Sequence, residues 1–152
     1  VKLIEYNARF GDPEAMNLLA LLRTDFASIC FDIVEGSLNS VNFSNMASVC
    51  KYVVPKGYGS NPSKDTTLNI DESYKEYSDI YYAAVNQNSN GIITTTSSRA
   101  AAVVSIGESI EEAERKCERG LSFVSGKNLF TRHDIGKSDL IQKRISHMEK
   151  LR

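Results

Sequence analysis

The apolar residues of this chain change their spacing three times, and that limits the folds open to it. Over the first ten residues they alternate, and from there to about Gly36 they recur at helical intervals. From about Ser48 to Ile106 they fall in short alternating or continuous runs, broken by Gly, Pro, Asn and Ser. From Ser109 onward the helical interval returns. Strands set between flanking helices, with antiparallel hairpin signals among them, predict an α+β fold.

The segments can be placed one by one. VKLIEYNARF alternates polar and apolar residues and reads as a strand, with Leu3, Glu5, Asn7 and Arg9 on one face. GDP is a turn, after which Asp12 is placed to cap a helix, with Pro13 at its first position and Glu14 in its first turn. AMNLLALLR is apolar on most sides, which predicts a buried helix. Thr24 stands where it could cap a second helix, DFASICFDIVEG, which Gly36 would stop. SVCKYVVP, TTLNI and RAAAVVSI read as strands, the last small and apolar enough for a sheet centre. DIYYAAVN and GIITTT flank QNSN, where Asn90-Gly91 signals a hairpin. KGYGSNPSKD reads as a loop, and its Gly57-Tyr58-Gly59 as a plain turn in preference to a phosphate site. In ESIEEAERKCERGLSF, Ser109 and Glu112 form a capping box, with Ile110, Ala113, Cys117 and Leu121 along one face. A turn-rich segment, SGKNLFTRHDIGKS, leads to a last helix with Ile141, Ile145 and Met148 at core spacing.

Composition removes several classes of function. The chain has 152 residues, 41% of them hydrophobic, enough for a domain with a real core. A net charge of −1 gives no broad basic face, so a nucleic-acid partner is not expected. No apolar run is long enough to cross a bilayer and no secretory signal opens the chain, so neither a membrane nor secretion is expected. Cys30, Cys50 and Cys117 match no metal or redox spacing and read as reduced core residues, which suits a cytoplasmic protein. The chain begins with Val, consistent with a piece of something longer.

The densest polar constellation is IEYNARFGDPE. Two apart on a strand, Glu5 and Asn7 share a face with Cα atoms about 6.7 Å apart. Both offer oxygen ligands, which suits a hard cation such as Mg²⁺ (or Mn²⁺) whose remaining positions are filled by water and phosphate. Arg9 extends the face and could stabilise an anion or a transferring phosphoryl group. Asp12 could receive an amine or merely cap the helix. On the residues alone, a solvated strand face competes with the metal site.

IEYNARFGDPE resembles the signature of the glycinamide ribonucleotide synthetase family of the ATP-grasp superfamily, Glu-(Phe/Tyr)-Asn-x-Arg-Phe-Gly-Asp-Pro-Glu, at every fixed position. RTDF, VVPKGY, SSRAAAVVSIGESIEEAERKC and TRHDIG resemble further family segments in the same order, so the resemblance spans nearly the whole chain. It implies an ATP-dependent ligase of purine biosynthesis that joins glycine to 5-phosphoribosylamine through a glycyl phosphate. It also implies Glu5 and Asn7 as metal ligands bridging to ATP phosphates, with Arg9 and Asp12 close to the reacting groups. The implied organisation is the end of an ATP-grasp domain over 1–36. A C-terminal domain over 37–152 would follow, similar to the C-terminal domain of biotin carboxylase. The remaining N-terminal domains would be its partners, and the chain alone would be inactive.

The chain departs from the family pattern where Ser97-Ser98 replaces Gly-Gly, Tyr82-Ala83-Ala84 replaces His-Ala-Gly, and Ala15-Met16 replaces Thr-Gln. Another ATP-grasp carboxylate–amine ligase, or a binding module that kept the fold and lost the chemistry, are the alternatives. Arg99 reads either as a cleft residue or as a pin at the sheet edge. Arg132 and Asp134 read first as a pair tying the tail to the sheet, with contact to substrate or nucleotide as the other reading. His133 and His147 read as non-catalytic. Tyr74, Tyr77, Tyr81 and Tyr82 read as half-buried packing.

Overall fold

A computed structural model describes residues 8–151. Glu5 and Asn7 lie outside the described residues, as does most of the strand expected to carry them; its last three residues, Ala8, Arg9 and Phe10, are described and form no strand. Among the described residues, helices and antiparallel strands are mixed as the spacing predicts. The centre is a four-stranded sheet in the order β3-β6-β1-β8, built from β1 (Ala47–Pro55), β3 (Asp79–Tyr82), β6 (Ala101–Gly107) and β8 (Leu129–Thr131). Two small antiparallel pairs stand beside it, β2 (Asn69–Ile70) with β7 (Val124–Ser125) and β4 (Val85–Gln87) with β5 (Ile93–Thr95). Helices α1 (Glu14–Leu21), α2 (Phe26–Glu35), α3 (Ile110–Leu121) and α4 (Ser138–Glu149) complete the chain.

The pairing of β1 with β6 sets the two faces of the sheet. Cys50 lies opposite Val104 and Tyr52 opposite Ala102, while Lys51 lies opposite Val103 and Val53 opposite Ala101. Because side chains alternate, one set faces α3 and the other faces α1. On the α3 face, Val49, Val53, Ala101, Val103, Ala113, Cys117 and Leu121 form the larger core. On the α1 face, Cys50, Ala102 and Val104 pack against Met16, Ala20 and Tyr52. β6 is covered on both sides, which its run of Ala and Val allows, and Ala100 to Val103 are fully buried.

The capping signals on α2 and α3 appear in the structure with one exchange of residue. Ser109 accepts a hydrogen bond from Glu112 N at 3.2 Å, and Glu112 Oε2 accepts one from Glu108 N at 2.8 Å. Gly36 ends α2 at φ 69°, a left-handed conformation that suits glycine. The cap of α2 is Asp25, which accepts from Ser28 N at 2.8 Å; Thr24 instead accepts from Asn42 N at 2.8 Å.

Several expectations are corrected. Asp12 does not cap α1: Pro13 holds the cap position and no side chain caps that end, because the Asp12 carboxylate is engaged elsewhere. α1 is not buried: none of its residues is, and Leu18 and Leu19 are 46% and 44% exposed. Ile110 is exposed at the first position of α3. DIYYAAVN is two strands, parted at Ala83 and Ala84, whose amides donate to the carbonyls of Ala100 and Arg99. The segment read as turn-rich contains β8. α4 buries no residue, and Ile145 and Met148 are exposed. Cys30 is exposed, unlike Cys50 and Cys117. No helix among the described residues is long and apolar enough to cross a membrane.

The thiols give a direct check. Burial pushes the Cys50 thiol up to about 11, helped by the nearby Asp12 charge, and the Cys117 thiol up to about 12. Only Cys30 is expected to react promptly with a disulfide reagent near pH 8, with Cys50 and Cys117 reacting after unfolding. Three equally fast thiols in the native protein would contradict this packing.

Candidate active-site cavity

The end of β1, the start of β6 and the segment after β8 converge on the α1 side of the sheet. Between them lies a cavity of about 490 Å³. Cys50, Tyr52 and Val54 form its floor, being the three β1 side chains that alternation turns to this face. Pro13 and Arg99 close one side, Phe130, Arg132 and Ile135 the other, and Lys56, Gly57 and Tyr58 the end. The glycine after Lys56 has φ 82°, so the turn that brings Tyr58 over the cavity favours glycine there. A larger hollow of about 580 Å³ lies along α4, but all its lining residues fall within 140–151, so a single helix walls it.

The polar groups of the cavity form two sets. Asp12 Oδ1 accepts from the Tyr52 hydroxyl at 2.7 Å, and Asp12 Oδ2 is 3.2 Å from the Arg99 guanidinium. Arg99 also donates to the Asp12 carbonyl at 3.2 Å and lies 4.8 Å above the Tyr52 ring. Across the cavity Arg132 grips Asp134 through two bonds, of 3.1 and 2.6 Å. That pair holds the Asp134 carboxyl below and the Arg132 guanidinium above their ordinary ranges. Lys56 has no carboxylate partner among the described residues. A mostly apolar hollow ringed by Lys56, Arg99 and Arg132 suits an anionic ligand with a carbon skeleton.

The expected site residues can now be located. Asp12 is at the cavity edge beside Pro13, engaged with Tyr52 and Arg99. Arg9 is exposed and donates to the carbonyl of Phe10 at 3.0 Å. Arg99 lines the cavity and fastens the turn before α1 to the sheet. Arg132 and Asp134 pair with each other; the chain after β8 is tied down instead by Lys51 and His133. Among the described residues no group of three or more His, Cys, Asp or Glu side chains could hold a metal ion. The described residues therefore do not by themselves fit Mg²⁺, and the expected ligands Glu5 and Asn7 fall outside them. Tyr52, Lys51 and Lys56 were not singled out by sequence. A charged residue inside the apolar run VCKYVV was the signal available for Lys51.

Burial, then the hydrogen bond and charge of Asp12, hold the Tyr52 phenol above its ordinary value of 10.0. The fold therefore keeps the neutral phenol. Its contribution is whole below pH 10 and is lost as pH rises past that value, because the unfolded chain ionises first. Tyr52→Phe is expected to cost about 1 kcal/mol near neutral pH. It is also expected to flatten the loss of stability above about pH 10, read from urea midpoints. Parallel pH profiles for the two proteins would contradict the assignment.

Comparison with known proteins identifies the family of the chain. The family model described as phosphoribosylglycinamide synthetase, C domain, matches residues 48–138. The chain is 53% identical over its full length to a phosphoribosylamine–glycine ligase of Methanocella arvoryzae, and 50% identical over 99% of its length to that of Methanocaldococcus jannaschii. It covers 35% and 34% of those proteins, so it spans about a third of the curated relatives it matches. A crystal structure of phosphoribosylamine–glycine ligase from Thermotoga maritima superposes with a TM-score of 0.72 at 25% identity, covering 87% of this chain and 32% of that one. The chain belongs to the phosphoribosylamine–glycine ligase family and carries the C domain of that family.

Proposed function

We propose that this chain is the C-terminal part of an ATP-dependent ligase of purine biosynthesis. The ligase joins glycine to 5-phosphoribosylamine, by way of a glycyl phosphate, to give glycinamide ribonucleotide, ADP and phosphate. The observation that carries this reading is the similarity, along the whole of this chain, to the matching third of curated ligases of that name, 53% in one relative. Residues 1–36 would close the ATP-grasp domain of the longer protein, and 37–152 would form its C-terminal domain, of the biotin-carboxylase type. Support for that division comes from α2, where Phe31, Ile33 and Val34 are 69%, 61% and 85% exposed, an apolar face of the kind another domain covers. The matched C domain begins only at residue 48.

The cavity supplies what this chain's own residues would do. Arg99, Arg132 and Lys56 would bind the phosphate of the ribosylamine substrate, with the apolar floor against its ribose. Tyr52 and Arg99 orient Asp12, whose half-exposed carboxylate would contact the substrate amine. Arg9 would stabilise anionic charge at the reacting centre. Glu5 and Asn7 would hold Mg²⁺, which when bound would offset the charge of the ATP phosphates. The chain alone would not turn over, since a third of the enzyme lacks the remainder of the nucleotide site.

In the full-length protein, Glu5→Ala is expected to lower kcat on the order of 100-fold or more. ADP release coupled to glycine and phosphoribosylamine is the assay. A wild-type rate in that variant would remove the metal assignment. ADP release with other amines or carboxylates, and none with this pair, would favour a different ATP-grasp ligase.

A further inference from the structure

β8 pairs with β1 through Leu129, Phe130 and Thr131, opposite Pro55, Val54 and Val53. Continued by two residues, that register would set Tyr52 opposite Arg132 and Lys51 opposite His133. The backbone ladder ends before that point, and a side chain takes over. Lys51 is fully buried on the α3 face of the sheet. Its ammonium donates to Glu114 at 2.8 Å, to Glu118 at 2.5 Å and to the carbonyl of His133 at 3.1 Å. The His133 ring closes on the same carboxylate, Nδ1 lying 2.9 Å from Glu118 Oε2. One residue earlier in the chain, Arg132 lines the cavity on the opposite face.

We infer that Lys51 is a positioning residue: by holding His133 from the far side of the sheet, jointly with Glu118, it sets where Arg132 stands in the cavity. A lysine that only fastened α3 to the sheet would need Glu114 and Glu118 alone. Here a third bond goes to the loop, and Glu118 also turns to the loop residue. A buried ammonium without partners is strongly disfavoured, so the clamp is closed whenever this region is folded. The segment it holds is short, and β8 contributes only three residues to the ladder. The clamp therefore replaces strand pairing just where Arg132 must be fixed.

The inference rests on the cavity being the site of the phosphorylated substrate. The test uses the full-length ligase and measures KM for phosphoribosylamine, KM for ATP and Tm. The variants are Arg132→Ala, Lys51→Met, His133→Ala, and Arg132→Ala combined with each of the other two. Arg132→Ala and Lys51→Met are each expected to raise KM for phosphoribosylamine about tenfold, and His133→Ala about threefold, with KM for ATP unchanged. The combined variants are expected to be no worse than Arg132→Ala alone, because changes that act through one contact do not add. An unchanged KM in Arg132→Ala would overturn the reading of the cavity, and the inference with it. A raised KM in Arg132→Ala with no change in Lys51→Met or His133→Ala, or with fully additive effects, would overturn the inference alone. If Lys51→Met does not fold, Glu118→Gln decides, since it weakens the grip of both Lys51 and the His133 ring while leaving Lys51 paired with Glu114; an unchanged KM for phosphoribosylamine there would overturn the inference.

Discussion

The antiparallel register of β1 on β6 is the constraint on which the rest of the molecule depends. Seven residue pairs, from Ala47 with Gly107 to Val53 with Ala101, fix which side chains of β1 face which way. Val49, Lys51 and Val53 go to α3; Cys50, Tyr52 and Val54 go to α1 and the cavity. A slip of one residue would exchange these sets, driving Lys51 into the cavity floor and Tyr52 under α3. The alanines of β6 permit close cover on both faces, so a core on one side and a binding hollow on the other share a single strand.

Lys51 is the costly element of this arrangement. Burying an ammonium alone would depress its ionisation, but the hydrogen bonds and charges of Glu114 and Glu118 outweigh that and hold it above its ordinary range. Glu118 is held below its ordinary range: burial opposes ionisation, and the bonds from Lys51 and His133 override it. Removing one partner of such a buried group costs about 3–5 kcal/mol, whereas an apolar replacement of the whole set is often neutral. Stability alone is therefore a weak reason for a lysine there. Its contact with the segment carrying Arg132 is a more specific one.

Much of the local structure was legible. Ser109 and Glu112, Gly36, the Asn90-Gly91 hairpin and the strands around Val53 and Val103 carry signals within a few residues of where they act. Asp12 shows why the rest was not. A local rule made it a helix cap, but partners 40 and 87 residues away claim its carboxylate. Nothing in the spacing of a chain reports such a meeting. The burial expected of α1 and α4 failed in a related way. Helical periodicity says that an apolar face wants cover, but the cover need not come from the same stretch of chain, and Leu18 and Met148 stand open. Glu5 and Asn7 were legible as a chemical pattern, and the described residues leave that pattern as a proposal.

The central claim is that Lys56, Arg99 and Arg132 frame the place where the phosphorylated ribosyl group sits. A crystal structure of the full-length ligase with glycinamide ribonucleotide bound tests it most directly. The account predicts the ribonucleotide phosphate within about 3 Å of the Arg99 or Arg132 guanidinium, with the ribose over Tyr52 and Val54. A phosphate held wholly by residues outside this chain, with the cavity left to water, would contradict it.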